Sequence, residues 1–88
     1  MVFSTFIWDL DEDPDGNVRH CAAHGVTKDE VEEAFEDATD ADLSRSSGRP
    51  IVFGQTRSGR HLMIVYEQVD PSTVYPITAY DVPRSRRP

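Results

Sequence analysis

At 88 residues the chain is long enough for one domain with a modest core and too short for two. Its single cysteine, Cys21, excludes an internal disulfide and suits a reducing compartment. The net charge of −7 argues against nucleic acid only if it is evenly spread, and it is not: residues 1–43 hold thirteen acids against Arg19 and Lys28, a balance of −11, whereas residues 44–88 hold seven arginines against Glu67, Asp70 and Asp81, a balance of +4. A phosphate-reading face therefore belongs to the C-terminal half; a solvated acidic helix beside an ordinary sheet is the plainer alternative.

Phe3 to Trp8 is a short aromatic, β-prone run and predicts a first strand. Asp13 then predicts a helix N-cap with Pro14 in the first helical position, where its missing N–H costs nothing. The surrounding acids suit the positive end of a helix dipole. Asp9, Asp11, Glu12, Asp13 and Asp15 superficially suggest a divalent-cation site, but no glycine and terminal glutamate fall at the calcium-loop offsets, so no metal is expected. The helix runs to about His24 on a stripe of Val18, Cys21 and Ala22, with Gly25 as its left-handed cap. Cys21, among alanines, reads as a small buried hydrophobe rather than a nucleophile.

Thr27-Lys28-Asp29-Glu30 is a capping box and opens a second helix. Val31, Ala34, Phe35 and Ala38 supply its buried stripe, and Glu32, Glu33, Glu36 and Asp37 its outer face. Residues 41–50 have loop composition, with Arg45 and Arg49 projecting. Three apolar runs follow: 51–56, 61–69 and 74–80. They are joined by Ser58-Gly59 and by Asp70-Pro71-Ser72-Thr73, which makes an antiparallel meander centred on His61–Val69. Leu62, Ile64 and Tyr66 on one face and Met63 and Val65 on the other suit a largely covered central strand. Pro76 removes a ladder donor, so a bulge or an edge is expected there.

The order is thus β-α-α-β-β-β. The expected fold class is α+β, two-layer, with two N-terminal helices packed on an antiparallel sheet. Residues 1–83 form one domain, and 84–88 (Arg-Ser-Arg-Arg-Pro) a basic tail. Neither a signal peptide nor a stretch as long as a membrane span is visible, so the expected location is cytoplasmic, with no membrane partner.

Several short motifs in order resemble the BrnT toxins of the RelE-like superfamily. They are Trp8-Asp9, Asn17, His24-Gly25-Val26, Glu33-Ala34-Phe35 with Asp37, Gly54, Gly59-Arg60, Val65-Tyr66 and Ile77-Thr78-Ala79. The resemblance covers nearly the whole chain. It implies the same RelE-like β-α-α-β-β-β order, a type II toxin–antitoxin system, ribonuclease activity without a metal or other cofactor, and neutralisation by a cognate antitoxin. Two departures stand against the likeness. Tyr75 and Tyr80 occupy positions where the family's last strand carries arginines, and the chain is more acidic than is usual there.

Metal-free RNA cleavage needs a base for the 2′-hydroxyl, charge to stabilise the phosphorane-like transition state and an acid for the leaving oxygen. The residues suited to these roles are His24, Arg60 and Tyr80 as catalytic groups. Arg49, Arg57, His61 and Tyr75 are candidates for RNA or phosphate binding. Each has a plainer role: an arginine at a hairpin tip is commonly a solvated surface group, and His24 is placed to stabilise a helix C-terminus. His20 and His24 lie four apart, a zinc-compatible spacing with no further ligand pattern. A RelE-like binding module without nuclease activity is the main alternative function. A regulatory protein whose acidic helices bind a basic partner is the third.

Overall fold

The middle strand of the meander sits at the centre of the sheet. In the computed structural model, which describes residues 5–38, 41–43 and 48–82, the elements are β1 (Thr5–Phe6), α1 (Asn17–Ala23), α2 (Lys28–Asp37), β2 (Ala41–Leu43), β3 (Pro50–Gln55), β4 (His61–Asp70) and β5 (Thr73–Asp81). The strand order is β1-β5-β4-β3-β2. Both helices bury their apolar stripes against one face, giving a two-layer α+β domain. No helix among the described residues is long and apolar enough to cross a membrane.

The core joins Leu62, Ile64 and Tyr66 of β4, Val52 of β3, and Val74 and Ala79 of β5 to Val31, Ala34, Phe35 and Ala38 of the second helical segment. Phe35 sits edge-on to both Phe6 and Tyr66, at ring separations of 5.4 and 5.1 Å. Each fully buried Val, Leu, Ile or Phe side chain contributes roughly 1.5–3 kcal/mol. On the other face Met63 and Val65 are only half-buried, so β4 is covered on one side rather than on both. Gly54 lets α2 lie directly on β3: a Cβ there would fall 1.9 Å from the Ala34 carbonyl oxygen.

The structure corrects four expectations. The sheet is mixed, because β1 pairs parallel with β5, Thr5 opposite Thr73 and Phe6 opposite Val74. Among the described residues the first strand covers Thr5–Phe6 and leaves out Ile7 and Trp8, while Phe3 and Ser4 lie outside the described residues. Residues 41–50 are not all loop: Ala41–Leu43 pairs antiparallel with Val52–Pro50 as an edge strand. Three residues of Ala-Asp-Leu composition carry no strand signal, so this pairing comes from β3's unsatisfied backbone rather than from propensity. Arg45 and the tail 84–88 lie outside the described residues.

The fourth correction concerns the start of α1. Its N-cap is Gly16, not Asp13, and Pro14 lies in a preceding turn where Asp13 Oδ1 accepts the Asp15 amide at 2.9 Å. The capping oxygen comes from farther away: Asp9 Oδ2 accepts the Asn17 amide at 2.9 Å. Asn17 and Cys21 are the buried residues of α1, whereas Ala22 is exposed. The capping box on α2 forms as read, with Thr27 Oγ1 accepting the Glu30 amide and Glu30 Oε1 accepting the Thr27 amide. The Pro76 expectation also holds. The register shifts between Val65 and Tyr66, which face Thr78 and Pro76, and leaves Ile77 unpaired.

Candidate functional site

The C-terminal end of α1 closes in a Schellman arrangement. His24 is the C-cap, Gly25 takes φ 73°, its amide donates to Ala22 O at 2.9 Å, and the Val26 amide donates to Cys21 O at 3.0 Å. Val26 is buried and anchors the turn, leaving the Gly25 carbonyl for a side chain from elsewhere. That side chain is Arg60. The hairpin that delivers it is fixed by Gly59 at φ 96°, by the Thr56 amide donating to Arg60 O at 2.8 Å, and by the Arg60 amide donating to Thr56 Oγ1 at 3.1 Å.

Arg60 binds Asp81 side-on, Nε to Oδ1 at 2.9 Å and Nη2 to Oδ2 at 2.8 Å. Its Nη1 donates to Gly25 O at 2.8 Å and to both Glu30 oxygens at 2.9 and 3.0 Å. One guanidinium thus joins the end of α1, the first turn of α2 and the end of β5. Arg60 holds the Asp81 carboxyl below its ordinary range. Burial works to raise the Glu30 carboxyl, but the Thr27 amide and Arg60 outweigh it and the net shift is downward. The hydrogen bonds that Arg60 donates to Asp81 and then to Glu30 raise its affinity for its proton. Beside this clasp the His24 and Tyr80 rings meet, 4.4 Å between centroids and inclined at 59°.

The three residues proposed as catalytic, His24, Arg60 and Tyr80, therefore share one corner, although 20 residues or more separate Tyr80 and Arg60 from each other and from His24. The four proposed RNA or phosphate contacts do not gather there as a set. Arg57 is highly exposed at the hairpin tip and faces α2, with Glu36 at 3.4 Å and Glu33 at 3.9 Å. Arg49 is exposed ahead of β3 and lines an open groove with Glu67 and Gln68, toward the other end of β4. His61 is the first residue of β4, opposite Gln55. The Tyr75 hydroxyl donates to Asp9 Oδ2, and this bond pushes its pKa up to about 12. The expected positive margin is thus lined with carboxylates, because the acidic half of the chain folds onto the arginines of the basic half.

No protein family, curated protein or solved structure matches the chain. The corner has to be read from its own chemistry. It offers an exposed imidazole, a half-buried phenol in ring contact with it, and a guanidinium whose donors are directed to protein acceptors. Among the described residues no group of three or more His, Cys, Asp or Glu side chains is placed to hold a metal ion. Cys21 is buried, and burial pushes its thiol up to about 11, which suits a packing role.

Sequence reasoning missed the residues that hold the other end of α1. The Asn17 side chain, 1% exposed, donates to Ile7 O at 2.9 Å and to Pro76 O at 2.7 Å, and accepts the Asp9 amide at 2.9 Å. The Tyr75 hydroxyl and the Asn17 amide hold the Asp9 carboxyl below its ordinary range. The signal available in the sequence is that Trp8-Asp9 and Asn17 are among the motifs read as resembling BrnT. It gave no role, and the role is structural.

Proposed function

We propose that this chain is the BrnT-like toxin of a type II toxin–antitoxin pair, with a RelE-like fold. On this reading it is a cytoplasmic, metal-independent ribonuclease that acts through the corner of His24, Arg60 and Tyr80 and is restrained by a cognate antitoxin. One observation carries the reading: three side chains chosen for acid–base and charge roles, from three different elements, converge at one solvent-accessible place. Imidazole and phenol side chains are suited to moving protons to and from the 2′ and leaving oxygens of RNA. Arg57, highly exposed and paired with the exposed Glu36 and the partly buried Glu33, is a cation within reach of solvent and of a phosphate chain.

A second reading is a RelE-like binding module that does not cleave RNA. It is favoured by the carboxylates around Arg57 and Arg60 and by tyrosines at positions 75 and 80 in place of arginines. Induction of the chain alone in a bacterium separates the two. Growth arrest with fragmented RNA, relieved by His24→Ala and by co-expression of a small DNA-binding protein from the adjacent gene, is the result expected of the toxin. Normal growth and intact RNA, with the protein soluble and folded, would leave the binding module.

A further inference from the structure

We propose that Arg60 is a positioning residue: it holds the His24–Tyr80 pair in place and does not itself contact phosphate. The proposal rests on the ribonuclease reading for its kinetic consequences, but its geometric part stands apart from it.

The side-chain nitrogens of Arg60 all point at protein acceptors. Nε and Nη2 are taken by the two oxygens of Asp81, and Nη1 by Gly25 O and by Glu30. A phosphate gaining the usual two-pronged hold on this guanidinium would have to displace one of those carboxylates. The clasp is also net anionic, one positive charge against two negative, and so repels the ligand that a phosphate-reading arginine must attract. Glu30 is doubly committed, because the same carboxylate closes the capping box of α2 through the Thr27 amide at 3.0 Å.

The clasp also fixes two ring-bearing residues. His24 precedes Gly25, whose carbonyl Arg60 binds, and Tyr80 precedes Asp81, whose carboxylate Arg60 binds. The two ring-bearing residues are thus each one position from an anchor on the same guanidinium, and their rings meet at 4.4 Å. Among the described residues β1 pairs with β5 only at Thr73 and Val74, and no described strand flanks the Tyr80 segment on that side. Arg60 supplies the tie there. A planar fork with acceptors on two sides does this; a lysine, with one ammonium, does not span them.

The test uses the whole purified chain and a fluorophore- and quencher-labelled single-stranded RNA oligonucleotide of mixed sequence. Arg60→Lys and Asp81→Asn remove the same tie from opposite ends, while Lys28→Gln removes an unrelated exposed ion pair. With folding confirmed by circular dichroism, both clasp variants are expected to lose kcat by roughly tenfold to a hundredfold with KM little changed. Cross-relaxation between the His24 and Tyr80 ring protons should weaken in both and persist in Lys28→Gln. Faster cleavage or tighter RNA binding by Asp81→Asn would overturn the proposal, since it would mean that Asp81 restrains an arginine acting on phosphate. If the wild-type chain cleaves nothing, the ribonuclease reading falls and the ring contact alone decides. Its loss in both clasp variants supports positioning, and its survival in either one contradicts it.

Discussion

The two ends of α1 are fastened to the same strand by opposite chemistry. At its start, the buried Asn17 side chain ties the helix to β5 through neutral hydrogen bonds, the one to Pro76 O buried and those to Ile7 O and the Asp9 amide partly buried. At its end, Arg60 ties Gly25 to β5 through an ion-paired fork whose partners are partly wet, Glu30 at 21% and Asp81 at 59% side-chain exposure. Burial decides which tie carries stability. An unmade hydrogen bond costs most where no water can replace the lost partner, whereas exposed charges are rehydrated and screened. The neutral end is therefore the structural anchor. The charged end sets side-chain placement at the corner.

Removal of the neutral anchor should have the largest effect. Asn17→Ala leaves three backbone groups without their partner and is expected to cost about 3 kcal/mol, read from urea unfolding. A loss below about 1 kcal/mol would erase the contrast. Arg60→Met should cost less, about 1–2 kcal/mol at low salt, because its released carboxylates reach water.

Acid sharpens the comparison. Glu30 and Asp81 both have lowered folded-state pKa values, so their contribution is present above the ordinary carboxylate range and is lost as pH falls through the lowered values. The stability difference between wild type and Arg60→Met should hold near pH 7 and shrink as pH drops below about 4. The Asn17→Ala difference should persist through the same range, apart from the share that Asp9 contributes. The smallest effect is reserved for Lys28→Gln. Its pair with Asp11 is 41% and 72% exposed, and its removal should change stability by no more than about 0.5 kcal/mol.

What could be read from the sequence follows the range of the interactions. The capping box, the Gly25 stop, the stripe of α2 and the hairpin at Ser58-Gly59 depend on neighbours within one turn, and each forms as read. The irregularity at Pro76 was accessible for the same reason, since proline lacks the donor wherever it stands. The start of α1 was misplaced because its capping oxygen belongs to Asp9, eight residues upstream, while Asp13-Pro14 satisfied the local rule. The parallel pairing of β1 and the existence of β2 depend on tertiary placement and leave no local pattern.

The candidate site divides along the same line. That His24 and Arg60 deserved notice was accessible from the motifs read as BrnT-like, and Tyr80 from residue type alone. That Arg60 would be taken up by Asp81, Glu30 and Gly25 was not, since those partners lie 21, 30 and 35 residues away. The charge polarity pointed to a positive margin, yet opposite charges on one chain attract when it folds. Glu30, Glu33 and Glu36 of the acidic half meet the arginines of the basic half. Motif residues such as Asn17, Gly54 and Arg60 serve the architecture first.

The most direct test of the corner is the contact between the two rings, followed in solution by proton cross-relaxation in the wild-type chain and in Asp81→Asn. We expect a strong His24–Tyr80 signal in the wild type that is lost or much weakened in the variant while the rest of the spectrum stays folded. An undiminished signal in Asp81→Asn would mean that the rings find each other without the clasp.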